Sequence, residues 1–341
     1  MRTAPPLARY RREVDEYLRS LVPDRAPQPL YQMVRYHLGW EDAEGRPDHA
    51  SGKGLRSSLC LLTCEAAGGE LRQALPAAAA VELVHNFSLV HDDIQDRDAE
   101  RHHRPTVWKL WGEAQAINAG DAILALAHLT ILRLGDEGVS APMVFAAARA
   151  LDERTLEMVE GQTLDIWLED RLDVGLPGYI EMIEKKTGAL FDCALTLGAL
   201  VAGADSAVIQ QLGSIGRTLG TAFQIRDDML GIWGDVSKTG KPRGADIRRR
   251  KKSSPLVYAL NDARSGARHE LRAIYGKPAL DDEDVARVLS CLEDAGAQDY
   301  CVRLAAERKE SALVALGQLE LKPRQAAEFR EAAEFLLERE F

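Results

Sequence analysis

Three aspartates, Asp92, Asp93 and Asp96, fall within five residues of one another in the stretch VELVHNFSLVHDDIQDRDAERHHRPTVW, residues 81–108. The run before them is apolar at helical spacing, so a helix entering the cluster brings Asp92 and Asp96, one turn apart, onto one face. At about 4 Å and an effective dielectric near 20, each carboxylate pair costs on the order of 4 kcal/mol, so such a helix needs cations. Ligands that are all oxygen point to a hard ion, Mg²⁺ before Zn²⁺. An EF-hand loop beginning at Asp92 would need Gly at its sixth position and Glu at its twelfth; Arg97 and His103 stand there instead. An isolated acidic run is most often a solvated helix face. Against that, FQIRDDMLGIWGD places Asp227, Asp228 and Asp235 in a similar setting far downstream.

Cationic groups accompany both clusters. SGKGLRSSL carries Lys53 and Arg56 at a helix start, yet it is no P-loop, because Pro47 and Gly54 occupy positions that need Gly and Ser or Thr. Two cations three apart beside free N–H groups still suit a phosphate. His85 lies two turns before Asp92 on the same side. Arg101, His102, His103 and Arg104 follow the first cluster, and KKTG sets Lys185, Lys186 and Thr187 in an apolar helix where an unpaired ammonium would be expensive. Gln224 shares a face with Asp227 and Asp228, and GKPRGADIRRRKK adds Lys241, Arg243, Lys251 and Lys252. Taken singly these read as a surface pair, a core histidine and a solvated loop. Together they describe two carboxylate clusters for divalent metal and several cations for phosphate around an apolar interior, which fits an apolar substrate with a diphosphate head.

Alanine and leucine dominate and the alternation of strands is nearly absent, so the positioning elements are helices throughout. Helices are expected at 7–21, 30–38, 53–68, 71–96, 105–112, 115–134, 141–170, 177–203, 205–233, 253–264, 267–275, 281–295, 298–318 and 322–339. GG at 68–69, LGDEG at 134–138, GLPG at 175–178 and AGAD at 202–205 separate them. Long helices joined by short loops make an all-α fold, one large bundle spanning 1–341 as a single domain. The polar segment 39–52 reads as an exposed loop. Asp281 and Asp282 open a helix, a structural role.

The 341 residues include 43 basic and 53 acidic side chains, a formal net charge of −10, which disfavours nucleic acid as a partner. Five scattered cysteines do not form a disulfide framework and suit a reducing cytoplasm. Cys60 and Cys64 read as a core pair rather than a metal site. The N-terminus lacks an apolar h-region, and no apolar run is expected to reach the 18 or so residues of a membrane span. Segment 119–134 is interrupted by Asp121 and His128.

Over essentially its whole length the sequence resembles the trans-isoprenyl diphosphate synthases, or polyprenyl synthetases. The matching stretches are GKGLRSSL, ELVHNFSLVHDDIQD, RPTVW, NAGDAILALA, EGQTLDI, KKTGALF, FQIRDDMLGIWGD and GKPRGADIRRRKKSSP, in the family's order. The resemblance implies a class I isoprenoid synthase bundle with a central cavity, a homodimer, and an enzyme that condenses isopentenyl diphosphate with dimethylallyl, geranyl or farnesyl diphosphate. It implies Mg²⁺, three ions with substrate bound and Mn²⁺ as the alternative, held by Asp92, Asp93, Asp96, Asp227 and Asp228. Arg101, Lys186, Thr187, Gln224, Lys241 and Lys251 match positions that grip the allylic diphosphate, Lys186 with the carboxylates forming the catalytic set. Lys53, Arg56 and His85 match the isopentenyl diphosphate pocket. Gln162 and Asp165 match a polar pair supporting the lysine of the KT motif.

Three positions depart from the pattern. Gly54 stands where a further Arg is common, His102 replaces a second Arg that contacts isopentenyl diphosphate, and Gly231 replaces the final Asp of the second motif. Phe87, five residues before Asp92 and followed by the small Ser88, resembles the floor of synthases that stop at C15 or C20, with geranylgeranyl diphosphate expected ahead of farnesyl diphosphate. A class I terpene cyclase is the nearest rival, but it has no second diphosphate for Lys53, Arg56 and His85 to hold. A non-catalytic partner subunit would be expected to lose carboxylates from the first motif.

Overall fold

A wall of small side chains lets the central helices approach closely: Ala74, Ala77, Ala78, Ala79 and Ala80 are all fully buried on the helix that leads to Asp92. The computed structural model describes residues 5–23, 29–48, 52, 54–234, 244–261 and 266–337. Lys53, Asp235, Lys241 and Arg243 lie outside the described residues. The elements are α1 (Pro5–Leu21), α2 (Pro29–His37), α3 (Leu55–Ala66), α4 (Leu71–Gln95), β1 (Glu100–Arg101), β2 (Arg104–Pro105), α5 (Val107–Trp111), α6 (Glu113–Leu132) and α7 (Ala141–Leu168). After these come α8 (Leu176–Ile183), a π-turn (Glu184–Gly188), α9 (Ala189–Val201), α10 (Ser206–Trp233), α11 (Ala245–Arg248), α12 (Ser254–Asn261) and α13 (Ala267–Tyr275). The chain ends in α14 (Asp282–Asp294), α15 (Ala297–Gly317) and α16 (Pro323–Leu337).

The helical expectation holds, with the short helix α11 unforeseen in a stretch read as a solvated loop and two further local corrections. The expected single helix 177–203 is broken at Lys185 and Lys186 by the π-turn, whose wider backbone ring often marks a functional site. The reading without strands misses a small hairpin, Glu100 opposite Pro105 and Arg101 opposite Arg104. His102 and His103 close it with φ of 52° and 62°, a left-handed pair of the kind that tight hairpin turns require. Asp281 does cap α14, accepting from the Asp284 N–H at 2.8 Å in a capping box.

Two hydrophobic clusters form the core. One draws mainly on α1–α4, α6, α7, α9, the first part of α10, the end of α15 and α16, the other on the end of α7, α8, the last part of α10, α11–α14 and the first part of α15. α10 belongs to both: Leu212, Ile215, Leu219 and Ala222 enter the first, and Ile225, Met229 and Ile232 the second. The carboxylate of Asp228 therefore sits where the clusters meet. α6 is, by length and composition, apolar enough to cross a membrane, contrary to the reading of 119–134, and 39% of its apolar window is buried in the bundle.

Candidate active site

α4 delivers the first motif in three different settings. Asp93 is 2% exposed and turned toward the hairpin, where Arg101 donates to its carboxylate through Nε at 2.9 Å and Nη2 at 2.8 Å. Asp96, at the end of the helix, is exposed, and Asp92 stands between these extremes. Burial pushes the Asp92 carboxyl up and the repulsion of Asp96 adds to it, while Lys186, Arg101 and Lys251 oppose the shift. Burial raises Asp93 to about 6 against the pull of Arg101.

The second motif divides in the same way. Asp228 is 3% exposed and fully engaged: Tyr179 Oη donates to it, Gln224 Nε2 donates at 3.0 Å and the Ser254 N–H at 2.8 Å. Burial holds its carboxyl up at about 6, with Lys251 the largest opposing influence. Asp227, its neighbour on α10, is exposed. Asp96 and Asp227 are thus exposed and Asp92 half-buried, whereas Asp93 and Asp228 anchor their surroundings. Among the described residues no three His, Cys, Asp or Glu side chains converge into a complete metal site. Carboxylates left open to solvent in whole or part, two of which, Asp92 and Asp96, repel one another, fit a hard divalent ion whose remaining ligands come from a substrate.

Two lysines act on the motifs. Burial would depress the Lys251 ammonium, but Asp246, Asp165, Asp228 and Asp227 hold it above the ordinary lysine range. The same ammonium acts on Asp92, so it stands within the field of both motifs. Lys186 projects from the π-turn and is ion-paired with Asp165 of α7. That pairing needs Gly161: a Cβ there would lie 2.6 Å from the Lys186 Cα, so α7 and the π-turn meet backbone to backbone. Thr187 Oγ1 donates to Gln224 Oε1 at 2.7 Å, linking the turn to Asp228 through one glutamine. Gln162 Nε2 donates to Gln95 Oε1 at 2.7 Å and braces the end of α4.

Arg56 and Arg101 form a second cationic group, with the His85 imidazole in their field. Burial lowers the Arg56 guanidinium to about 10 against the pull of Glu82 and Asp227, and its Cζ lies 5.0 Å from the Phe191 ring centroid. Burial, then Arg56, Arg101, His37 and His102, drive His85 well below the usual histidine range. His102 is exposed at the hairpin tip and adds to the lowering of both His85 and His37. Gly54 has φ of 58°, which strains an Arg at that position. Phe87 is 8% exposed in the wall of α4.

Several groups escaped the sequence reading. Tyr179 lies two turns before Lys186, a spacing that could have placed it on the lysine's face. Asp246, Ser254, Asp98 and Arg249 gave no such signal. Arg249 pairs with Asp98 just beyond the first motif, tying the loop that carries Lys251 to the end of α4. Lys252 is turned the other way, its Nζ donating to the Glu169 carbonyl at 2.6 Å.

Comparison with known proteins places the chain in a family. The polyprenyl synthetase family model matches residues 48–292. The chain is 39% identical to the (2E,6E)-farnesyl diphosphate synthase of Mycobacterium tuberculosis, over 99% of this chain and 94% of that one. It is 45% identical to the geranylgeranyl diphosphate synthase of the same organism, over 85% and 82%. A polyprenyl synthetase from Streptomyces coelicolor superposes with a TM-score of 0.90 at 38% identity, covering 98% of this chain and all of that one, 100%. A geranylgeranyl pyrophosphate synthase from Corynebacterium glutamicum, complexed with isoprenyl diphosphate and magnesium, superposes with a TM-score of 0.83 at 28% identity over 100% of both chains.

Proposed function

The chain belongs to the polyprenyl synthetase family and is a short-chain isoprenyl diphosphate synthase, a trans-prenyltransferase, and from that premise we propose how its residues divide the work. The observation that carries the reading is Lys251, whose ammonium lies in the field of Asp92 on one motif and Asp227 on the other. An allylic diphosphate fits that gap. Asp92, Asp96 and Asp227 would hold Mg²⁺, with Asp93 and Asp228 keeping Arg101, Gln224 and Tyr179 in place. Bound there, Mg²⁺ supplies a Lewis acid that draws charge from the diphosphate. Arg101, Lys186 and Lys251 grip the diphosphate oxygens, and their positive charge stabilises the pyrophosphate as the allylic C–O bond breaks. Thr187 and Gln224 orient it.

Arg56, His85 and His102 hold isopentenyl diphosphate, together with Lys53, which with Lys241 lies outside the described residues. The double bond of isopentenyl diphosphate attacks the allylic carbon to form the new C–C bond. The proton it then loses goes to the released pyrophosphate. The side chain needed at the reacting carbons is none; what the wall of α4 contributes is exclusion of water, which would capture the cation. Products of C15 to C20 follow from Phe87 as the floor, geranylgeranyl diphosphate leading. Mycobacterial relatives making either product support that range.

A homodimer completes the reading. Ile117, Leu129 and Leu132 of α6 and Phe145, Leu156 and Trp167 of α7 are exposed, an apolar face that a second copy would cover. Purified protein given Mg²⁺, isopentenyl diphosphate and C5, C10 or C15 allylic primers should yield C15 and C20 diphosphates. Light scattering should give twice the chain mass, and Leu129→Glu should halve it. A product absent with every primer, or a monomeric wild type, rejects the corresponding half.

A further inference from the structure

The Phe87 ring does not stand alone in the wall. One turn later on α4 the His91 imidazole meets it edge to face, with centroids 4.8 Å apart and planes at 69°. His91 is itself pinned against α6. Its Nε2 lies 3.4 Å from the Ile117 carbonyl oxygen and 3.6 Å from Asp121 Oδ1, and its ring rests on the bare Cα of Gly120, where any Cβ would overlap the imidazole. A helical phenylalanine has two accessible χ1 wells. With the imidazole filling the space toward α6, the ring is held against swinging that way.

We infer that His91, seated on Gly120, is a positioning residue that fixes the Phe87 ring and so sets the length of the product. The inference rests on Phe87 being the floor of the chain pocket. It gives a specificity role to a histidine that touches no substrate, and to a glycine on a different helix. The order of contact is Gly120 to His91 to Phe87 to the growing chain. Removing the imidazole frees the ring to rotate into the vacated space, and the chain then passes one isoprene unit deeper.

The test is product length, read by chromatography and mass spectrometry after dephosphorylation, for Phe87→Ala, His91→Ala, His91→Phe and the double variant Phe87→Ala/His91→Ala. Phe87→Ala and His91→Ala should each shift the main product longer by at least one five-carbon unit. His91→Phe, which keeps a ring against Phe87, should retain the wild-type distribution, and the double variant should match Phe87→Ala alone. A merely structural histidine would lower yield without moving the distribution. If Phe87→Ala lengthens the product and His91→Ala does not, the role of His91 is overturned while the floor stands. If neither does, the floor reading fails and takes this inference with it. Should His91→Ala fail to fold, Gly120→Ala dislodges the same imidazole from the other side, and an unchanged distribution in that variant overturns the proposal.

Discussion

The carboxylate of Asp246 lies against the bare Cα of Gly231, in the volume that any side chain at that position would need. Gly231 is the position where the second motif lacks its final aspartate, and the carboxylate that fills the space arrives from α11 instead. Asp246 in turn leads the charges that hold up the Lys251 ammonium, and its carbonyl accepts from the Lys251 N–H at 3.0 Å. Gly231→Ala should therefore displace Asp246 and the loop behind it. Helix propensity alone would make that substitution stabilising by about 1 kcal/mol, whereas overpacking costs about 1–3 kcal/mol. The expected result is a lower Tm and a KM for the allylic diphosphate raised by about tenfold, roughly 1.4 kcal/mol of lost grip. A variant with unchanged KM and higher Tm would show that Asp246 has room to move.

The two aspartates side by side in the first motif should respond differently. Asp92→Ala removes a half-buried carboxylate that no side chain among the described residues neutralises directly in an ion pair, and should lower kcat by about two to three orders of magnitude, with the Mg²⁺ activation curve moved to higher concentration. Asp93→Ala leaves Arg101 without its partner beside a buried site, so the fold should lose on the order of 3 kcal/mol, the scale for breaking such a pair. Its Mg²⁺ midpoint should stay near that of the wild type. Titrating activity against Mg²⁺ for both variants, with urea unfolding alongside, separates the roles. Equal shifts of the Mg²⁺ curve would put Asp93 among the ligands.

Much of this was legible in the sequence because the signals are local. Apolar spacing fixes helices such as Leu71–Gln95 and Ser206–Trp233 nearly to their ends. The departures occur where a contact between distant segments decides the outcome. The π-turn at Lys186 answers to Gly161 on another helix, and the hairpin at His102 to the reach of Arg101 for Asp93. Asp93 and Asp228 look like their neighbours in the sequence. Only the direction of the side chain distinguishes them, because Arg101, Tyr179 and Ser254 come from other parts of the chain.

Gly161 offers a test of the lysine's placement. A methyl group there would overlap the backbone of Lys186, and backbone cannot give way as a flexible side chain can. Gly161→Ala should push the π-turn off α7 and pull the ammonium away from Asp165. The expectation is a loss of kcat of about a hundredfold, because catalytic groups displaced by about 1 Å commonly lose that much. Helical content by circular dichroism should be retained. Wild-type kcat in a folded Gly161→Ala protein would mean the turn tolerates the shift.

His37 should give the fold an acid-sensitive step. It is half-buried, its Nε2 shielded from solvent, in the field of Arg101, His102 and Arg104. Burial first, then Arg101, His102 and Arg104, lower its pKa to about 3, although a hydrogen bond to the Asn86 backbone pulls the other way. An unfolded histidine titrates near 6.5, so between about pH 6.5 and 3 the unfolded chain binds a proton that the folded chain refuses. Stability therefore rises with pH across that window and is lost as pH falls through it. One such group contributes a slope of about 1.4 kcal/mol per pH unit, on the order of 5 kcal/mol over the whole window. His37→Gln keeps a donor for the Asn86 backbone but does not titrate. Urea unfolding of wild type and variant from about pH 6.5 down to about 4.5 should show a shallower acid limb in the variant, by close to one proton. Parallel limbs would mean that His37 takes up its proton within the folded protein.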